Sequence, residues 1–282
     1  MPASDHNCSV LVSLANRVAR QFGSLDQVEA VALSGSQTSE LRDSNSDVDL
    51  YVYVTRVIPL EIRGGIAEGA ERAEIGNEYW EPGDEWIDQE TGIAVDVMFR
   101  HVTWIEEQLD RVLGQHQAAV GYSTCFWYNV RYSQVLFDRN GWLNDLKKSC
   151  DQPYPPELKR AIIDKNFPLL RRNLSSYLRQ IELAISRNDP VSVNHRLAAL
   201  LASYFDALFA VNEVPHPGEK RLIPHALAQC HKIPPDMPEK IKDLLTPPQG
   251  GYATTVADLH LLIDGLENLL ASEGLRPSEV AV

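Results

Sequence analysis

Cysteine is scarce: four residues in 282, at positions 8, 125, 150 and 230, with no Cys-x-x-Cys pair among them. That scatter excludes both a structural zinc site of the usual spacing and a disulfide framework, so reduced thiols are expected. Positive charge is short as well, with 26 Lys and Arg against 39 Asp and Glu and a net charge of −13. The most basic patch is Leu170-Arg171-Arg172, too brief to track a phosphate backbone, and no nucleic-acid partner is expected. Long apolar runs are missing. The longest, such as Leu197-Ala198-Ala199-Leu200-Leu201, fall far short of the ~20 residues a spanning helix needs, and no basic-then-apolar leader opens the chain. No membrane partner is expected, and the expected compartment is cytoplasmic.

What is present suffices for sizeable cores: 44% of residues are hydrophobic, over a length that exceeds a usual single domain. The chemistry concentrates near the N-terminus. Residues 28–33 form a short apolar run suited to a buried strand, and Leu33-Ser34-Gly35-Ser36 follows, where Gly35 permits a tight turn at close approach to a ligand and Ser36 adds a hydroxyl. Then comes Asp47-Val48-Asp49-Leu50-Tyr51-Val52. Strand side chains alternate faces, so Asp47 and Asp49 point the same way, roughly 7 Å apart at their Cα atoms. Paired carboxylates beside a buried strand are costly unless a cation neutralises them, and Mg²⁺ prefers such oxygen ligands together with substrate phosphates. Asp96 is the only acidic residue in the apolar run 93–99 and supplies a third, inward carboxylate. Gly-Ser alone is a common turn; the compound pattern carries the reading.

These residues resemble the nucleotidyltransferases of the DNA polymerase β superfamily, whose signature is Gly-Ser, then Asp-x-Asp on one strand, then a third acidic residue on a neighbouring strand. The motif spans about residues 28 to 100. The order of a small α/β domain followed by a helical one also resembles the aminoglycoside and lincosamide nucleotidyltransferases. The resemblance implies that Gly35 and Ser36 hold a triphosphate and that Asp47 and Asp49 bind Mg²⁺. Asp96 either completes the metal site or acts as general base. Two Mg²⁺ ions would clamp an in-line displacement at the α-phosphate. The implied activity moves a nucleoside monophosphate, AMP from ATP, to a hydroxyl of a small-molecule acceptor such as an aminoglycoside-like antibiotic. The alternatives are an antitoxin-type enzyme that modifies a protein side chain, and a nucleotide- or partner-binding domain without turnover.

Periodicity organises the rest. Residues 9–22 read as an amphipathic helix, 59–70 as a second, 73–80 and 93–99 as strands, and 81–85 as a turn flanked by Trp80 and Trp86, which are expected to close a core. Helical spacing resumes over 102–113, and 134–138 reads as an edge strand. The expected fold is an α+β domain over 1–150, a mixed sheet with flanking helices, followed by an all-α bundle over 151–282. The proline-rich connector 151–156 separates them. Helices are predicted over 157–187, 191–211, 224–231, 238–245 and 254–272. The bundle is expected to supply the acceptor site, and Lys220, in a polar break, resembles a lysine that related enzymes place near the triphosphate. A solvated loop cation is an equal reading of Lys220. Asp164, Lys165, Glu182 and Asp206 are expected to face solvent. His225 and His231, six apart, do not share a helix face, so a joint zinc site needs the helix to end between them. His101 is expected as a strand-end cap rather than a neighbour of Asp96. The leucine stripe of 261, 262, 266, 269 and 270 is expected to be core.

Overall fold

A computed structural model describes residues 3–34, 47–79, 81–246, 252 and 254–276. Contacts divide the chain into two compact units, Met1–Asp110 with Phe126–Gln152, and Arg111–Cys125 with Pro153–Val282. These units do not follow the expected division into 1–150 and 151–282: the excursion Arg111–Cys125 belongs with the second unit, and the later break falls after Gln152.

The first unit is built on β1 (Val28–Leu33), β2 (Val48–Val54), β3 (Arg72–Asn77), β4 (Gly83–Ile87), β5 (Ala94–His101) and β6 (Gln134–Asp138). They form one mixed sheet in the order β3-β4-β5-β2-β1-β6, with β2 and β5 parallel and every other neighbouring pair antiparallel. Helices α1 (Ala3–Gly23), α2 (Leu60–Ile66), α3 (Val102–Leu109), α4 (Cys125–Tyr132) and α5 (Trp142–Cys150) accompany it, and a π-helical turn, Asp110–Gly114, extends α3. Val48, Leu50 and Val52 of β2 and Val95 and Val97 of β5 are buried with Leu14, Val18 and Phe22 of α1. Burial of so many branched and aromatic side chains, at about 25 cal/mol per Å² of apolar surface, drives this packing.

The turn expected over 81–85 is a correction. Only its first residues turn the chain; Gly83 already begins β4, because a Cβ there would lie 2.8 Å from the Val97 carbonyl oxygen and only glycine lets β4 approach β5 so closely. Asp84, the next residue, is fully buried and breaks the apolar pattern that marks a strand. It is tolerated because Arg63 Nε donates to it at 2.8 Å and the Gly76 N–H at 2.8 Å, while the Arg63 guanidinium lies 4.1 Å from the Phe99 ring centre. Trp86 closes the core as expected. The α2 helix is shorter than the predicted 59–70 and contains Gly64 and Gly65, weak helix formers.

The second unit holds α6 (Pro156–Arg171), α7 (Tyr177–Ser186), α8 (Pro190–Val211), α9 (Leu222–Gln229), α10 (Met237–Leu245) and α11 (Thr255–Ser272). The single helix predicted over 157–187 is two, because Ser176 caps α7 by accepting from the Arg179 N–H at 3.4 Å. Helices α6 and α7 pack on α8, and α11 packs on α7, α8 and α10. Leu262, Leu266 and Leu270 are core, whereas Leu261 is exposed. No described helix is long and apolar enough to cross a membrane. Helix α9 does end between His225 and His231, but among the described residues no group of three His, Cys, Asp or Glu side chains is arranged to hold a metal ion.

Asp206 of α8 faces inward, against the expectation of a solvent-facing residue. Its carboxylate accepts from the Ser123 N–H at 3.0 Å, the Ser123 hydroxyl at 2.6 Å and Asn166 Nδ2 at 3.0 Å. These bonds tie the 111–125 excursion to α6 and α8. Burial pushes the Asp206 carboxyl up from an ordinary 3.8 to about 7, with its three donors holding it partly back. A raised carboxyl favours folding when protonated, so its contribution is complete below pH 4 and is lost as pH rises through 7. His216, also buried, is pushed down to about 3 by desolvation and works in the opposite direction. Comparison of wild type with Asp206→Asn isolates the first effect. Between pH 7 and pH 5 the wild type is expected to gain about 2 kcal/mol of urea-unfolding stability over the variant, and a difference independent of pH would exclude the raised carboxyl.

Candidate functional site

The register of β2 on β5 decides which side chains meet. Val48 lies opposite Val95, Asp49 opposite Asp96 and Leu50 opposite Val97. Since the valines and Leu50 occupy the core face, Asp49 and Asp96 share the other face on adjacent strands, with backbones ~5 Å apart. Both are half-buried, so Asp96 is not the fully inward carboxylate expected from its apolar run. Glu85 of β4 lies opposite Asp96, and Glu74 of β3 opposite Glu85. Four carboxylates therefore cross the sheet in one row. Asp47, just before β2, is exposed. The Glu74 and Glu85 members of the row were legible only once 83–87 is seen as a strand paired with 72–77.

Next along the same face come Tyr51 opposite Met98, then Tyr53 opposite Arg100. Arg100 is 3% exposed and donates from Nε at 2.8 Å and from Nη2 at 2.9 Å to the two carboxylate oxygens of Glu81. Its guanidinium lies 4.0 Å from the centre of the Tyr51 ring and 5.2 Å from that of Phe126. Trp142 of α5 meets Tyr53 edge to face, with ring centres 5.2 Å apart. Burial raises the pKa of both tyrosines, and the Arg100 charge draws them partly back, so the phenols stay neutral. At the neighbouring strand end, the Ser34 N–H donates to the Asp49 carbonyl at 2.9 Å, and the Ser34 and Tyr51 hydroxyls lie 3.3 Å apart.

Of the residues singled out from sequence, Asp49 and Asp96 are brought together, with Asp47 beside the start of the same strand. Gly35 and Ser36 lie outside the described residues, as does Trp80. Lys220 belongs to the second unit, exposed just before α9. His101 is a cap, as expected: Nδ1 accepts from the Thr103 N–H at 3.3 Å to close the start of α3, and Nε2 donates to the Thr55 carbonyl at 2.9 Å. It pairs with Val54, at the far end of β5 from Asp96. Cys125, Cys150 and Cys230 are free thiols.

No protein-family model and no curated protein matches this chain. Among solved structures it is similar to a nucleotidyltransferase-like protein from Exiguobacterium sibiricum, at 18% sequence identity, covering 94% of this chain and 76% of that one, with a TM-score of 0.44. A likeness this distant assigns nothing.

Chemically, Asp49 and Asp96 present hard oxygen donors side by side, the ligand type that suits Mg²⁺. Among the described residues no third acidic, histidine or cysteine side chain closes with them into a metal-holding group. The Arg100–Glu81 pair supports the floor next to this row, and its arginine is the more deeply buried partner. Glu81→Gln is therefore expected to lower unfolding stability by about 2 kcal/mol, since an uncompensated buried guanidinium remains. Urea titration checks it, and Arg100→Met added to that variant is expected to recover much of the loss.

Proposed function

We propose that the first unit is an Mg²⁺-dependent nucleotidyltransferase that moves a nucleoside monophosphate, AMP from ATP, to a hydroxyl of a small-molecule acceptor such as an aminoglycoside-like antibiotic. One observation carries the reading: Asp49 and Asp96 are direct register partners on parallel strands, with Asp47 two residues before Asp49. Parallel neighbouring strands present the two carboxylates at the same height on one face, and one or two carboxylates together with substrate phosphates are how Mg²⁺ is commonly held.

In this reading Asp47 and Asp49 hold Mg²⁺, and Gly35 and Ser36 receive the triphosphate. Asp96 either shares the metal or takes the proton of the acceptor hydroxyl. When bound, Mg²⁺ would supply charge neutralisation for the carboxylates and phosphate oxygens while the acceptor oxygen bonds to the α-phosphorus and the bond to the β-phosphate breaks, with pyrophosphate as the leaving group. The protein's share is positional: it holds acids and nucleotide on a rigid sheet, so that attack follows without reorganisation. A second reading, nucleotide or partner binding without turnover, draws on the absence of a converged metal-holding trio among the described residues.

Thermal stability with ATP, GTP, CTP or UTP, each with and without Mg²⁺, tests the donor half, because a ligand that binds the native state raises its melting temperature. A rise that needs both metal and one nucleotide is expected, and Asp47→Asn and Asp49→Asn are each expected to remove it. Trapping of a nucleotidylated product in an acceptor screen then separates turnover from binding. In that assay Asp96→Asn is expected to lower turnover more than nucleotide affinity if it serves as base, and both together if it serves as ligand. Wild-type stability that ignores every nucleotide would overturn the proposal.

A further inference from the structure

Within the second unit, bonds that hold the turn at 119–123 converge on two buried side chains, Asp206 of α8 and Asn166 of α6. The Gly121 N–H donates to Asn166 Oδ1 at 2.9 Å, and Asn166 Nδ2 donates to the Ala119 carbonyl at 3.1 Å and to Asp206 Oδ2 at 3.0 Å. Ser123 binds Asp206 twice, from its N–H at 3.0 Å and from its hydroxyl at 2.6 Å. The same hydroxyl accepts from the Ala119 N–H at 2.9 Å and lies 3.3 Å from the Ala119 carbonyl. The turn is strained in itself. Tyr122 sits at φ +56°, a left-handed conformation that is costly for a residue with a Cβ, and Gly121, at φ +70°, packs so closely that a Cβ there would lie 3.1 Å from Ala202 Cβ. Such a conformation persists only while its bonds hold.

The donors to Asp206 are a backbone amide, a hydroxyl and a side-chain amide, all neutral, so an ionised Asp206 is a buried charge held by dipoles rather than by a cation. Around it stand the Tyr122 phenol and Cys125 thiol of the excursion and the Tyr154 phenol of the connector, each pushed up by burial, and the His216 imidazole, pushed down to about 3. These four stay neutral near pH 7. Glu219, beside Cys125 and Tyr122, and Glu213, beside Tyr154 and paired with Lys159 of α6 at 2.6 Å, bring no positive charge to Asp206.

We propose that Asp206, Ser123 and Asn166 form a pH-operated latch, which holds the 119–123 turn on α6 and α8 in acid and loosens it as the medium turns alkaline. In the protonated form Asp206 donates from Oδ2 to the Ser123 hydroxyl, whose own hydrogen turns to the Ala119 carbonyl, so both hydrogens have acceptors. Release of the proton to solvent returns the Ser123 hydrogen to Oδ2 and leaves the buried anion, which favours an open turn with Asp206 in water. The next residue stays tied, because the Thr124 hydroxyl accepts from the His216 N–H at 2.7 Å. Thr124 is therefore the hinge. The latch is independent of the reaction assigned to the first unit.

Residue-resolved amide hydrogen exchange of the full chain, corrected for the intrinsic pH dependence of exchange, tests it. Between pH 5 and pH 7 the protection of the Gly121 and Ser123 amides is expected to fall about 50-fold in wild type and by less than about threefold in Asp206→Asn, whose side chain does not titrate. At pH 7 these two amides are expected to exchange at least about tenfold faster than the buried Leu208 amide of α8, as local opening requires. In Ser123→Ala the carboxyl loses its hydroxyl donor, so the fall, which levels off near pH 7 in wild type, is expected to run on to about pH 8; that variant carries the test if Asp206→Asn folds poorly. Equal falls in wild type and Asp206→Asn overturn the latch, as does a fall in Ser123→Ala that still levels off near pH 7. Exchange of Gly121, Ser123 and Leu208 at one common protection also overturns it, because the proton then leaves only when the whole unit unfolds.

Discussion

The pairing of β2 with β5 is the constraint on which the first unit depends. Side chains on a strand alternate faces, so a slip of one residue would drive Asp49 into the core with Phe22 and Trp86 and send Leu50 to the polar face of the carboxylates. The apolar set of Val48, Leu50, Val52, Val95 and Val97 therefore fixes the register by its own burial. The acidic pair is a by-product of that hydrophobic choice. Parallel pairing adds the second condition, because it brings the beginnings of both strands to the same sheet edge.

Beside this pair the sheet face is unusually rich in large polar-tipped side chains. Arg100, Tyr51 and Tyr53 are all buried there, and Glu81 supplies the compensating charge. A guanidinium sandwiched between rings is weakly hydrated to begin with, which lowers the cost of enclosing it. The same logic recurs on the opposite face of the sheet, where Arg63 stacks on Phe99, the chain neighbour of Arg100, and satisfies Asp84. Each arginine holds an otherwise unpatterned part of the chain, the segment around 81–85, onto the sheet.

How much of this could be read in advance follows from which residues obey periodicity. Alternation in 48–54 and the continuous apolar run of 93–99 made β2, β5 and the facing of Asp49 legible, and the helical bundle was legible from three- and four-residue spacing. The β4 strand was hidden because Asp84 sits where an apolar residue belongs, its burial compensated by an arginine 21 positions away in the chain. With β4 hidden, Glu85 and Glu74 could not be recognised as extending the carboxylate row. Asp206 was hidden for the same reason. A carboxylate on a helix reads as solvent-facing unless its donors, Ser123 and Asn166, are known to reach it, and those lie far away in sequence.

The excursion Arg111–Cys125 has a bearing on how the chain comes together as it is made. These residues leave a unit whose remaining sheet strand, β6, emerges soon afterwards, yet the helix that receives them carries Asp206 and emerges some eighty residues later. Until then the Ser123 hydroxyl has only the Ala119 carbonyl, 3.3 Å away within the excursion, and not the Asp206 carboxylate. The first unit can complete its sheet on its own, whereas the second is assembled from two pieces with the first unit's last helices lying between them in the chain. Cutting the chain at the connector would strand the excursion on the wrong fragment, so excising the second unit intact means rejoining 111–125 to 153 onward by a new linker rather than simply choosing a boundary.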